Sequence, residues 1–320
     1  MADTVQRASA LSEKDTAETD VVAKIEEITD ETTRLYDLTE SMFLNYFEGL
    51  DIAVEDLVYY KQMTDTQKGT YETFKARFAE EIKTYDGFDR SKPYTLPDDH
   101  TLLKFLQADK YNIDVAMKRM LGTIGWRQKW NISELVKNGP NGLKEYREIR
   151  VRRHMGFDKD GLPIFAERLG KFMNLLQSSK AKSISTDDLM RCYIYDMGGL
   201  IEQFRESARR GNPRWKIIYI ADARHAKLMS AFKAINILRS FAKEIETNFP
   251  EQAGPIFVIH CPKIVTKAYQ LICKLLDPSV VAKIRLFSNE GTQAMLERMD
   301  KATLLEEYGG TNPTEYPQAG

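Results

Sequence analysis

Trp215-Lys216-Ile217-Ile218-Tyr219-Ile220-Ala221-Asp222 (WKIIYIAD) is a near-continuous apolar run of strand length, closed by a carboxylate. So little polar alternation predicts a buried strand, the habit of parallel sheets. Downstream, apolar residues at helical spacing predict a helix from about Leu228 to Asn248. A second strand follows at Gly254–Cys261 (GPIFVIHC), then a helix from Ile264 to Leu276, a short strand at Lys283–Ser288 (KIRLFS) and a helix at Thr292–Met299. Upstream, Val151–Phe157, Asp158-Lys159-Asp160-Gly161 and Pro163–Arg168 read as strand, tight turn and strand. Thr186–Arg209 is helical, with Gly198-Gly199 as the expected kink. Alternation of strands and helices at these lengths predicts an α/β fold with a mixed, largely parallel sheet flanked by helices.

The first half of the chain has the other period. Residues 1–18 are polar and aperiodic and read as a disordered tail. Helices are expected over Asp20–Phe47, near Ala53–Met63 and over Gln67–Lys83, making residues 19–90 an acidic helical extension. Asp86–Pro97 reads as a linker. Asp98-Asp99 and Asn112 are placed to cap two further helices, the second running to Trp130, within a helical bundle over 91–140. The α/β part then spans 141–311 and a short tail 312–320.

Charge follows the same division. Residues 1–100 hold 11 basic and 23 acidic side chains, net -12, and residues 101–320 hold 35 and 24, net +11. The formal total of -1 therefore averages an acidic N-terminal third and a basic remainder. A basic module points to a membrane, nucleic-acid or phosphate partner. The arginines at 147, 150, 152 and 153 and at 205, 209, 210 and 214 lack interleaved aromatics for base stacking, which argues against nucleic acid. The acidic segment is placed to fold back on the basic module and compete with a bilayer, or to bind a protein partner through residues 20–83.

Three cysteines, Cys192, Cys261 and Cys273, fit a reducing compartment better than a disulfide framework. There is no apolar run of membrane-spanning length, and the acidic start lacks a signal-peptide core. The expectation is a cytoplasmic chain with peripheral, reversible membrane contact. Metal, cofactor and catalytic motifs are missing: no Gly-rich phosphate loop, no nucleophile elbow, and four histidines (His100, His154, His225, His260) without ligand spacing. One near-miss is His260-Cys261 with Lys267 six residues after the cysteine, similar to a phosphatase thiolate loop. That chemistry needs a guanidinium and a run of free N–H groups. Here the cation is Lys, and Pro262 removes an N–H.

The helix 264–276 is sharply divided. Ile264, Val265, Ala268, Leu271, Ile272 and Leu275 fall on one side, and Lys263, Lys267, Gln270 and Lys274 on the other. By itself this is either a helix covering a sheet or a basic amphipathic helix meeting an anionic bilayer.

Several motifs occur in family order. Leu102-Leu103-Lys104-Phe105-Leu106-Gln107-Ala108-Asp109-Lys110-Tyr111-Asn112 with Gly125-Trp126-Arg127 resembles the N-terminal motif of CRAL-TRIO proteins. Asp158-x-Asp160-Gly161-x-Pro163-Ile164, Asn248-Phe249-Pro250-Glu251, His260-x-Pro262, Leu276-Asp277-Pro278, Lys283-Ile284 and Tyr308-Gly309-Gly310-Thr311 are similar to that family's later motifs, in the same order. The resemblance covers about residues 95–311. It implies a helical bundle and an α/β domain enclosing one lipid, non-catalytic binding or transfer of a hydrophobic molecule between membranes, and a gate formed by 264–276. Each methylene removed from water contributes about 0.8 kcal/mol, so a 16-carbon chain costs about 13 kcal/mol to leave exposed. An apolar cavity lowers that barrier.

The resemblance also assigns candidate ligand residues. Lys110, Glu251 and Lys283 match positions of the inositol-phosphate site in the phosphatidylinositol/phosphatidylcholine transfer branch. A plain Glu251–Lys283 salt bridge is the alternative. Asp109 stands where that branch has Arg, and Val280 where it has Thr. The branch's choline-contacting Ser and Thr align with Ile217 and Tyr219, which with Trp215 and Ala221 share one strand face by period two. His225 occupies a turn position held by Gly in the branch. These departures imply a ligand other than phosphatidylcholine: a phosphoinositide held differently or an apolar small lipid. A membrane-sensing adaptor is the rival reading, and an enzyme, supported only by Cys261, the third.

Overall fold

The computed structural model describes residues 36–263, 269, 273 and 278–313. The helical half is built from α1 (Asp65–Thr84), α2 (Asp99–Ala108), α3 (Ile113–Lys129), α4 (Ile132–Asn138) and α5 (Leu143–Ile149). Asp98 and Asn112 cap α2 and α3 as expected, and α1 carries a capping box besides. Thr64 and Gln67 form a capping box on α1, the Asp98 carboxylate accepts from Thr101 N at 2.8 Å, and the Asn112 side chain accepts from Val115 N at 3.2 Å. Residues 85–97 are without helix or strand.

The α/β half runs β1 (Arg152–Phe157), β2 (Pro163–Glu167), α6 (Leu169–Leu175), α7 (Thr186–Tyr195), α8 (Met197–Arg209), β3 (Ile217–Asp222), α9 (Leu228–Asn248), β4 (Ala253–Ile259), β5 (Ile284–Leu286) and α10 (Thr292–Leu296). The sheet order is β1-β2-β3-β4-β5, with β1 antiparallel to β2 and the rest parallel. Ile164 pairs with Ile218 and Ile220 with Phe257, so their side chains share one face. There they pack on Met295, Met299, Leu304 and Tyr308 from the C-terminal segment. The opposite face, with Phe165, Ile217, Tyr219 and Val258, looks toward the helices.

Two expectations are corrected. Helix through Phe47 does not occur in the described part of that segment, where only Ser41–Phe43 forms a 3-10 turn. Arg205 Nη1 takes the carbonyls of Tyr46 and Glu48 at 2.9 and 2.8 Å, groups a helix would use internally. Residues 20–35 lie outside the described part. The break in 186–209 falls at Asp196, not at Gly198-Gly199. The two glycines serve close approach instead: a Cβ on Gly198 would meet the Tyr36 ring at 2.3 Å. Residues 36–50 bury Phe43, Leu44 and Phe47 in the same apolar cluster as α1–α3 and α8.

Candidate functional site

A cavity of about 350 Å³ opens on the helix-facing side of β3 and β4. Its described walls come from the strands (Ile217, Tyr219, Ile256), from α6 (Phe172, Met173) and from the inner face of α9 (Ala231, Ile235, Leu238, Phe241, Ala242, Ile245). Ile217 and Tyr219 point the same way because strand side chains alternate. Helical spacing puts the six α9 residues on one flank.

Arg150, Glu167 and Tyr219 form a polar cluster on this wall, whereas Gln252 donates to the Tyr46 hydroxyl at 2.7 Å. Arg150 Nε and Nη2 reach Glu167 Oε2 at 3.2 and 3.0 Å, and Tyr219 donates its hydroxyl to the same oxygen. Arg150 Nη1 donates to the Tyr146 hydroxyl at 2.6 Å, and its guanidinium lies 4.6 Å from the Tyr193 ring centre. Asp196, beside the cavity, gathers Arg152 at 3.3 Å, Arg147 at 3.4 Å and the Tyr36 hydroxyl at 3.2 Å. Burial alone would raise the Asp196 carboxyl, but Arg152, Arg147 and Arg150 outweigh it and hold it below the usual range. Burial raises the Tyr193 and Tyr219 hydroxyls, which therefore stay protonated as donors. Arg147, Arg150 and Arg152 are thus interior ion-pair partners.

The remaining candidates are distributed as follows. Ile217 and Tyr219 line the cavity. Ala221 pairs with Glu167 on the neighbouring strand and is not among the lining residues. Trp215 precedes β3, and its ring stacks on Tyr59 at 4.2 Å with Phe47 beyond it, so it packs the N-terminal segment rather than the cavity. Glu251 pairs with Lys216 at 3.0 Å, not with Lys283. Lys283 is half-buried and has no ion pair among the described residues. Lys110 and the adjacent Tyr111 both take positive φ, 54° and 62°. Asp109 is compensated internally by Arg119 at 2.8 Å, and burial raises its carboxyl. His225 adopts φ 63°, the left-handed geometry its turn requires. Of the gate, Lys263 is described and exposed, while Ile264, Val265, Lys267, Ala268, Leu271, Ile272, Lys274 and Leu275 lie outside the described residues. Cys261 is buried and its N–H is spent on Phe287 O at 2.8 Å, which withdraws that donor from an anion cradle. The cavity side chains Arg150, Arg152, Glu167, Tyr193 and Gln252 escape a motif-based reading, because each sits at an element end or on a helix whose partner face is tertiary.

The CRAL/TRIO domain family matches residues 153–310. A CRAL-TRIO domain-containing protein of Saccharomyces cerevisiae is 25% identical over 230 residues, covering 69% of this chain and 73% of that protein. The Sec14 cytosolic factor of Schizosaccharomyces pombe is 27% identical over 217 residues, covering 67% and 74%. A phosphatidylinositol/phosphatidylcholine transfer protein of Arabidopsis thaliana, SFH12, is 25% identical over 253 residues, covering 73% and 44%. The crystal structure of Sfh5 superposes with a TM-score of 0.61 at 16% identity, over 79% of this chain and 89% of that one. Residues 153–310, which hold most of the mostly parallel sheet and of the cavity wall, thus match the CRAL/TRIO domain family, and the chain is similar to a Sec14 factor over 67% of its length.

Proposed function

We propose that this protein holds one hydrophobic ligand in the β3–α9 cavity and transfers or presents it between membranes without catalysis. The observation that carries the proposal is the cavity wall. It is mostly apolar; of its polar side chains, Arg150, Glu167 and Tyr219 are satisfied by one another and by Tyr146, while Arg152, Tyr193, Gln252 and Arg239 also reach it. Such a wall rewards apolar surface and offers little to a bulky charged headgroup. The ligand is therefore a lipid other than phosphatidylcholine, with the segment 264–276 as the gate and Lys110, Glu251 and Lys283 as contacts for any polar group outside the cavity. The related proteins named for transfer or as Sec14 factors support this reading. Mass spectrometry of lipid extracted from the purified full chain tests it, together with transfer of that lipid between vesicles. Recovery of mainly phosphatidylcholine would overturn the ligand assignment, and membrane binding without any transfer would favour an adaptor.

A further inference from the structure

Residues 225–243 contain no Asp or Glu and four cations, Lys227, Lys233, Arg239 and Lys243. All four are exposed, and none has an ion pair among the described residues. Next to them stand two of the large apolar side chains exposed among the described residues, Met229 at 65% and Phe232 at 42%. At 100° per residue, Met229, Phe232, Lys233, Asn236, Arg239 and Lys243 share an arc of about 120° on α9. The opposite flank of the same helix lines the cavity, and Arg239 belongs to both, exposed and at the cavity rim.

We infer that the outer face of α9 is the surface with which this protein docks on an anionic bilayer. The charge pattern selects the partner: exposed cations that form no ion pair among the described residues gain from a negative surface, and the gain falls with salt. The apolar pair selects a bilayer, because Met229 and Phe232 fit the headgroup–acyl boundary, where an amphipathic helix lies in plane. Position adds a reason. A ligand leaving past Arg239 emerges against the docked surface. The inference rests on the proposed lipid cavity for that last step only.

The test is co-sedimentation of the full chain with phosphatidylcholine vesicles, with and without phosphatidylserine. Lys233→Glu/Arg239→Glu/Lys243→Glu should weaken binding to the anionic vesicles by about a hundredfold at low salt. Met229→Ser/Phe232→Ser should weaken binding to both vesicle types by about tenfold. These are exposed positions, and far-UV circular dichroism checks that the variants fold. Wild-type binding by both variants would overturn the inference. So would failure of the unmodified chain to bind anionic vesicles, or loss of binding only on reversing Lys263, Lys267 and Lys274. Capture of an acidic protein without vesicle binding would assign the face to a protein and overturn it as well. Lipid recovered from the same preparation reports on the cavity separately, so the two readings fail independently.

Discussion

Tyr219 and Glu167 are joined across the parallel β2–β3 pair, and the carboxylate oxygen that accepts the Tyr219 hydroxyl is the one that takes both Arg150 N–H groups. Glu167 and Arg150 are both nearly inaccessible. Removing one partner leaves a buried charge. Glu167→Ala should cost about 3–5 kcal/mol in urea unfolding, whereas Arg150→Met/Glu167→Leu should recover most of that loss. Tyr219→Phe should cost about 1 kcal/mol. A small effect of Glu167→Ala would mean that water reaches the cluster.

The sheet was legible because strands buried on both faces announce themselves as apolar runs. WKIIYIAD and GPIFVIHC became neighbouring parallel strands, Ile217–Asp222 and Ala253–Ile259. The α9 limits, Leu228 and Asn248, were also legible, since helical periodicity ends at Phe249-Pro250. The cavity was half legible. Strand alternation correctly put Ile217 and Tyr219 together, but Trp215 lies ahead of the strand, where alternation gives no orientation. The Arg150–Glu167 pair was hidden, because nothing local relates an arginine just past α5 to a glutamate ending β2. Residues 36–47 were misread as helix because their partners, Arg127 and Arg205, are supplied from distant helices.

That segment makes the next prediction. Arg127 is buried, and its guanidinium donates to the Glu40 carboxylate at 2.6 Å and to the Glu40 carbonyl at 2.5 Å. Glu40→Ala should destabilise the fold by about 3 kcal/mol, measured by urea. Truncation to residues 51–320 should abolish cooperative unfolding, since it also uncovers the buried environment of Phe43 and Phe47. A truncated chain that melts like the intact one would show residues 36–50 to be dispensable.

Thiol chemistry should be nearly silent. Burial pushes the Cys192 thiol up to about 12, and Cys261 is buried at the strand end. Native protein should therefore react with a thiol reagent at Cys273 well before the other two, with all three reacting in denaturant. Fast native labelling of Cys261 would revive a catalytic reading of that strand end.

Lys104 gives a pH signature. Its ammonium lies 3.5 Å from the Tyr46 ring centre, on the buried side of α2, with no ion pair among the described residues. Burial lowers its pKa from the ordinary 10.5 to about 7; Asp98 partly opposes that shift and Arg127 adds to it. The sign follows from proton counting. Between pH 7 and 10.5 the unfolded chain keeps this proton while the folded chain releases it, so stability rises with pH by up to about 1.4 kcal/mol per unit. Below pH 7 both states hold the proton and the penalty is constant. Lys104→Met keeps the stem packing and removes the titration. The difference between wild type and Lys104→Met, measured by urea unfolding at pH 7, 8 and 9, should therefore shift steadily in favour of wild type as pH rises. Parallel stability curves for the two proteins would mean that Lys104 keeps its proton in the fold, with the Tyr46 ring meeting the cost of burial.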